Sequence, residues 1–234
     1  MLELDRIQVC YGAATALWDV SIRIGAGELV CVVGPNGAGK TTLIDAIAGL
    51  NRITAGTLSI DGRSLNRLPR HQFCDQGIAL VPEGRRLFTT MSVRENLELG
   101  SYRSAARAHR QQSLERVLAI FPALKTRLEA PAGALSGGQQ QMVAVARTLL
   151  GNPDVVLLDE PAEGLAPVIV QELATQLLAL RKEGLSMIIS EQNLSFARSL
   201  ADTAYVLESG YVRYSGTLDH LEANAGEWTR YIAF

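Results

Sequence analysis

Lysine is almost missing from this chain of 234 residues: it stands only at positions 40, 125 and 182, and arginine supplies the remaining positive charge. The scarcity reads as compositional bias. With 22 basic against 24 acidic residues the net charge is −2, so no global basic field draws nucleic acid or an anionic membrane surface. Cys10, Cys31 and Cys74 are odd in number and lack metal-ligand spacing, and two of them fall in expected strands. Buried, reduced thiols are therefore expected, not a disulfide frame or a zinc site. No apolar run approaches the ~18 residues that span a bilayer. Met1 to Arg6 lacks the basic and apolar regions of a signal peptide. A cytosolic protein is expected, with membrane association only through a partner. Histidine occurs only at 71, 109 and 220, and neither repeats nor low-complexity segments are visible. What is present, 47% hydrophobic and 20% charged, suffices for one large α/β core with room for an inserted subdomain.

One stretch organises the rest. The apolar run Leu29-Val30-Cys31-Val32-Val33 leads into Gly34-Pro35-Asn36-Gly37-Ala38-Gly39-Lys40-Thr41-Thr42, and a helical pattern follows from Leu43 to Ala48, closed by Gly49. Strand, glycine loop and helix form the context in which G-x-x-x-x-G-K-[ST] cradles phosphate. The glycines let successive N–H groups turn inward on a phosphate, and the helix start adds partial positive charge. Lys40 is placed to reach the β- and γ-phosphates, and the Thr41 hydroxyl to ligate Mg²⁺. A nucleoside triphosphate site is expected.

Before this loop, Leu2, Leu4, Ile7 and Val9 indicate an extended segment ended by Tyr11-Gly12. Val20 to Ile24 alternates as a half-exposed strand does, and Thr57 to Ile60 alternates again before the Asp61-Gly62 turn. An antiparallel β layer flanking a parallel, RecA-like core sheet is the expected α/β architecture. Ile78 to Val81 reads as a buried strand stopped by Pro82. Residues 84–134 then lack any strand pattern: Ser92-Val93-Arg94-Glu95 is a capping box, and Leu114, Val117, Leu118 and Phe121 mark one helix face before Pro122. This interval reads as a helical subdomain inserted into a core of residues 1–83 and 135–234. Strands at Val155–Leu158 and Met187–Ile189, a helix from about Pro167 to Lys182, and a hairpin around Glu208-Ser209-Gly210 complete the pattern.

Two further motifs carry chemistry. Val155 to Glu160 is an apolar strand ending in two acids. In P-loop NTPases such a strand presents a carboxylate to Mg²⁺, here Asp159. Glu160, one residue on, is free to polarise a water at the γ-phosphate. Leu135-Ser136-Gly137-Gly138-Gln139 combines glycines, a hydroxyl and a helix start, which makes a second anion site. Ser136 and Gln139 also fit a plain capping box. Two phosphate-binding helix starts beside a single lysine loop imply that the second serves a nucleotide held by another subunit.

Together, Tyr11-Gly12, Gly34–Thr42, Leu135–Gln139, Val155–Glu160 and Glu163-Gly164-Leu165-Ala166-Pro167 resemble the nucleotide-binding subunits of ABC transporters across essentially the whole chain. The resemblance implies a P-loop ATPase that pairs head to tail with a second ABC ATPase subunit, a copy of itself or a sister. Two ATP molecules would be sandwiched between one subunit's lysine loop and the other's Leu135–Gln139 motif. It also implies Tyr11 stacked on adenine, to which an aromatic face is suited; a buried core tyrosine is the alternative. Transmembrane permease subunits and, indirectly, a periplasmic solute-binding protein are the implied partners, with the chain peripheral on the inner face of the cell membrane.

Two departures refine the resemblance. Where family members commonly carry Gln after the strand ending at Val81, this chain has Pro82-Glu83-Gly84-Arg85-Arg86-Leu87-Phe88. Where they commonly carry a catalytic His, it has Ser190-Glu191-Gln192-Asn193. The combination looks like the second ATPase subunit of branched-chain amino acid importers, and related urea and amide importers share much of it. Glu83 puts a carboxylate where metal and γ-phosphate are expected, so it must ligate or face the metal or else repel the phosphate. Gln192 can donate a hydrogen bond to the γ-phosphate but cannot become cationic as His can. Arg85 to Phe88 suits a groove for a partner helix, or a solvated charge pair over a core Phe. A non-transport ABC ATPase usually shows two cassettes, coiled coils or basic arms, none of which is here. A regulatory nucleotide-binding module has only the missing histidine in its favour. A P-loop kinase or GTPase does not explain Leu135–Gln139, and no Asn-Lys-x-Asp string occurs.

Overall fold

In the computed structural model, which describes residues 1–102 and 104–223, two kinds of strand sort into two sheets. The end of the expected core segment, residues 224–234, lies outside the described residues. Long strands with one wet face, β1 (Leu2–Tyr11), β2 (Ala14–Ile24) and β4 (Ile53–Ile60), join the short β5 (Arg63–Ser64) in an antiparallel sheet of order β2-β1-β4-β5. Asp61 and Gly62, both with positive φ, make the two-residue turn from β4 to β5. Short apolar strands form the second sheet. β3 (Leu29–Val33), β6 (Ile78–Val81), β7 (Val155–Asp159), β8 (Ser186–Glu191) and β9 (Thr203–Glu208) run parallel, and β10 (Tyr211–Thr217) adds an antiparallel edge, in the order β10-β9-β3-β8-β7-β6.

β3, β7 and β8 are buried at every position, which requires cover on both faces. One face receives Val30 and Val32 with Val155 and Leu157. It packs against β1, β2 and the apolar side of α1 (Lys40–Ile47), where Leu43, Ile44 and Ile47 are fully enclosed. The other face presents Cys31, Val33, Val156 and Leu158 to helices. Those helices include α2 (Val93–Leu99), α4 (Arg110–Ile120) and α5 (Gly137–Leu149) from the stretch between β6 and β7, which also holds the short α3 (Ser104–Ala108). α6 (Pro167–Lys182) and α7 (Leu194–Leu200) follow, and the short α8 (Leu218–Ala223) ends the described chain. α2 opens on a capping box, with Ser92 and Glu95 each bonded to the other's backbone N–H. α4 stops before Pro122, and Phe121 closes it as a fully buried side chain. Among the described residues no strand lies between β6 and β7, only a bridge pairing Ser92 with Pro131.

The expectation of buried thiols needs correction, and two alternatives that placed aromatic rings in the core fall away. Cys10 and Cys31 lie in strands as expected, and Cys31 is buried, but Cys10 is half-buried between the hydroxyls of Thr15 and Thr54, and Cys74 is exposed in a 3₁₀ turn. Tyr11 is 52% exposed because it ends β1 at the rim, which removes the core alternative. Phe88 is 55% exposed and so is not a core residue beneath Arg85 and Arg86. Its backbone, not its ring, is held: buried Asn96 accepts from its N–H at 2.9 Å and donates to its carbonyl at 2.9 Å.

The register sets what meets at the sheet's carboxyl edge. Val33 pairs with Glu191, Ser190 with Asp159, and Leu158 with Val81. The residues that follow these strands therefore emerge side by side, where open α/β sheets bind ligands.

Candidate functional site

Six residues, Gly34 to Gly39, turn the chain from β3 into α1. A Cβ on Gly34 would lie 2.2 Å from the Leu207 carbonyl oxygen of β9, so only glycine fits. Gly39, at φ +106°, starts the helix without a side-chain cap, which leaves the first-turn N–H groups open toward an anion. The Lys40 side chain is only 3% exposed. Its ammonium donates to the carbonyls of Gly34 at 2.9 Å and Pro35 at 3.1 Å and pairs with Glu160 Oε1 at 3.1 Å. A charge so buried is tolerated only with such partners.

Glu160 approaches from β7. Its backbone is left-handed, at φ +45°, an unfavourable conformation for a residue with a Cβ. The end of β8 holds it there. Ser190 Oγ donates to Asp159 Oδ1, while the Glu160 N–H donates to Ser190 O and Oγ, both at 3.1 Å. Gln192 Nε2 donates to Glu160 Oε2 at 2.7 Å, so the carboxylate is gripped by Lys40 on one oxygen and Gln192 on the other.

A cleft of about 700 Å³ opens over these groups, lined by Asn36, Gly37, Gly39, Lys40, Thr41 and Thr42 on one side and Glu83, Glu160 and Glu163 on the other. Partial desolvation raises the Glu83 carboxyl above its ordinary value, and Glu163, Asp159 and Glu160 add repulsion that Arg86 offsets. The turn bearing Glu83 is tied to α5, because Arg147 donates to the carbonyls of Arg86 at 3.0 Å and Arg85 at 3.2 Å. The residues could hold a nucleotide and Mg²⁺. The open helix start and Lys40 suit phosphate. Among the described residues no three His, Cys, Asp or Glu side chains form a metal cluster. Thr41 and Glu83 line the cleft and the buried Asp159 does not; an ion held by Thr41 and Asp159 would thus leave positions for phosphate oxygens and water, which Mg²⁺ accepts.

Tyr11 stands near this loop, its hydroxyl bonded by Asn51 Nδ2 at 2.6 Å and 3.4 Å from Thr42 Oγ1. Ser136, Gly137, Gly138 and Gln139 do not line the cleft. They open α5 with both capping-box hydrogen bonds formed. Gly138 is closed in, since a Cβ would lie 2.5 Å from Ile169 Cγ2, whereas one on Gly137 would meet only the Arg85 guanidinium, at 3.2 Å.

Comparison with known proteins agrees with this arrangement. A family profile described as ABC transporter matches residues 17–163. The chain is 42% identical to the high-affinity branched-chain amino acid transport ATP-binding protein BraG of Pseudomonas aeruginosa, over 91% of each chain. It is 34% identical to a probable branched-chain amino acid transport ATP-binding protein, LivF, of Archaeoglobus fulgidus, over 94% of each. Its fold matches the dimeric post-hydrolysis structure of an ATP-binding cassette bound to ADP and Pi, with a TM-score of 0.80 and 27% identity, covering 93% of this chain and 99% of that one.

One residue at this edge was not singled out by sequence reasoning. Glu191, only 4% exposed, ends β8 and accepts the Ala162 N–H on Oε1 at 3.2 Å. Its position after the apolar run Met187–Ile189 was the available signal. Burial pushes its carboxyl up to about 7; the backbone N–H groups of Ala162, Asn193 and Gln192 favour the anion, and the Glu160 charge opposes it. Folded Glu191 therefore keeps a proton between about 4.5 and 7 that the unfolded chain releases. Stability falls as pH rises through that window. Replacing Glu191 with Gln removes the titration. In urea unfolding, the stability of the parent relative to Glu191→Gln should fall by about 2 to 3 kcal/mol between about pH 5 and 8. A difference that does not vary with pH would contradict the assignment.

Proposed function

This chain belongs to the ABC transporter family of ATP-binding subunits, and from that premise we propose that it powers the import of branched-chain amino acids. Its activity is ATP hydrolysis. The observation that carries the reading is the single cleft in which an uncapped helix start, the buried Lys40 and the carboxylate of Glu160 converge. The solute is supported by the similarity to BraG and LivF, both branched-chain amino acid transport ATP-binding proteins.

In this reading the backbone from Gly34 to Thr42 and the Lys40 ammonium receive the phosphates. Lys40 exchanges its bond to Glu160 for phosphate oxygens, which releases the Glu160 carboxylate to take a proton from the attacking water. Thr41 and Asp159 would hold Mg²⁺, with Glu83 as a further carboxylate nearby; the ion would supply charge neutralisation. Gln192, a neutral donor, orients Glu160 and the reacting phosphate. Tyr11 offers an exposed ring to adenine. Ser136 is exposed and Ser136 to Gln139 lie outside the cleft lining, which suits a nucleotide held by a second ATPase subunit, and the dimeric relative supports such pairing. Residues 84–134 act as a helical subdomain linking that motif to the membrane. An apolar cleft of about 550 Å³ lined by Leu50, Phe73, Leu80 and Leu99, with Arg70 and Arg147, supports docking of a permease segment, and the membrane is reached through it.

Glu160→Gln should lower ATP turnover at least a hundredfold, because the amide keeps the shape but cannot accept the proton. Steady-state phosphate release, with the permease partners present, measures it; parental turnover would remove Glu160 as the base. Reconstituted with those permeases, the parent but not this variant should drive leucine uptake.

Gly137→Asp tests the pairing. The monomer should tolerate the new side chain, which meets Arg85, and bind ATP within about twofold of the parent. An acid set against a phosphate from the other subunit should abolish the ATP-bound dimer in size-exclusion chromatography. Dimerisation as in the parent would contradict the placement of nucleotide across the interface.

A further inference from the structure

We propose that Glu191 is a positioning residue of the hydrolytic centre: its carboxylate clamps the turn that carries Glu160, and its own carbonyl ties that turn to the phosphate loop. The inference rests on reading Glu160 as the base. The last residues of β8 and the one after it act in sequence on the end of β7. Ser190 fixes the Asp159 carboxylate and the Glu160 N–H, Glu191 fixes the Ala162 N–H, and Gln192 fixes the Glu160 carboxylate. Glu191 also reaches the other way, since its carbonyl accepts the Gly34 N–H at 3.3 Å. One residue thus bonds both to the first glycine of the phosphate loop and to the turn two residues past Glu160.

The choice of side chain points to function over packing. The hydrogen bond to the Glu191 carboxylate comes from a backbone N–H, that of Ala162 at 3.2 Å, the N–H groups of Gln192 and Asn193 also favour the anion, and the charge acting on it, Glu160, is of like sign. Above neutral pH a buried anion in this setting costs stability. An amide would avoid that cost, yet it offers one oxygen and would turn an NH₂ toward an N–H, whereas a carboxylate offers two oxygens to several donors. What the carboxylate supplies is a fixed Ala162, and with it a Glu160 held at positive φ, a conformation that persists only where its surroundings over-determine it.

The test compares the full chain with Glu191→Gln and Glu191→Ala at about pH 8, in steady-state ATP turnover and in urea unfolding. The clamp predicts kcat lower by about tenfold in Glu191→Gln and further in Glu191→Ala, with KM for ATP within about twofold, because the loss falls on orientation at the reacting atoms. Glu191→Gln should at the same time resist urea at least as well as the parent. A packing role would move activity and stability in the same direction. The proposal is overturned if both variants keep kcat within about twofold, or if kcat falls only in step with stability. Glu160→Gln, assayed alongside, separates the two claims. If it hydrolyses ATP like the parent, the reading of Glu160 fails; if it is inactive while the Glu191 variants are not, only the clamp fails.

Discussion

An ammonium group enclosed by protein must be met by oxygen, and the Lys40 side chain, 3% exposed, is met by two loop carbonyls and by Glu160. Losing Glu160 would leave the buried charge unpaired, and losing a carbonyl would leave an N–H of the ammonium without an acceptor, either a larger loss than that of a surface ion pair. The loop must therefore curl until Gly34 and Pro35 turn their carbonyls inward, and β7 must end where Glu160 can reach across. The pair also defines a resting state. Lys40 and Glu160 neutralise each other here; in the proposed mechanism phosphate oxygens would compete for the lysine, and the base would be withheld until the substrate that needs it is in place.

Parallel strands make this possible because they deliver their ends to one edge. The pairing of Val33 with Glu191 and of Asp159 with Ser190 brings the phosphate loop, the acidic strand end and the Ser190–Gln192 segment together. Close approach also restricts residue type, as at Gly34 against the Leu207 carbonyl. The edge carries local costs that the rest of the sheet does not: Glu160 in a left-handed conformation, Glu191 as a buried acid and several carboxylates around Glu83. The fully buried β3, β7 and β8, packed on both faces, bear those costs.

Local chemistry was legible in the sequence. The phosphate loop, the Asp159-Glu160 strand end, the Ser92 and Ser136 caps and the two-residue turns at Asp61-Gly62 and Ser209-Gly210 depend on residues a few positions apart. What depended on register was not. Gln192 stood out as a departure from a family pattern, but its bond to Glu160 follows from β7 lying beside β8. Glu191 was hidden because a strand-end acid is ordinarily solvated, and only the packed edge makes it buried. Exposure of Cys74, Phe88 and Tyr11 was equally a tertiary matter. α7 passed unnoticed although Asn193 is its N-cap, accepting from the Phe196 N–H at 3.1 Å, because its seven residues are too few to show a period and Phe196 completes no capping box of the kind that marks α2.

The central claim is that nucleotide phosphate and Glu160 compete for Lys40. Calorimetric titration of ATP at neutral pH into the parent, Glu160→Gln and Lys40→Ala tests it directly. Neutralising Glu160 removes the competitor, so Glu160→Gln should bind ATP several-fold more tightly than the parent. Lys40→Ala, which loses a charge-assisted contact, should bind at least about tenfold more weakly. Equal affinity in the parent and Glu160→Gln, or undiminished affinity in Lys40→Ala, would contradict the exchange.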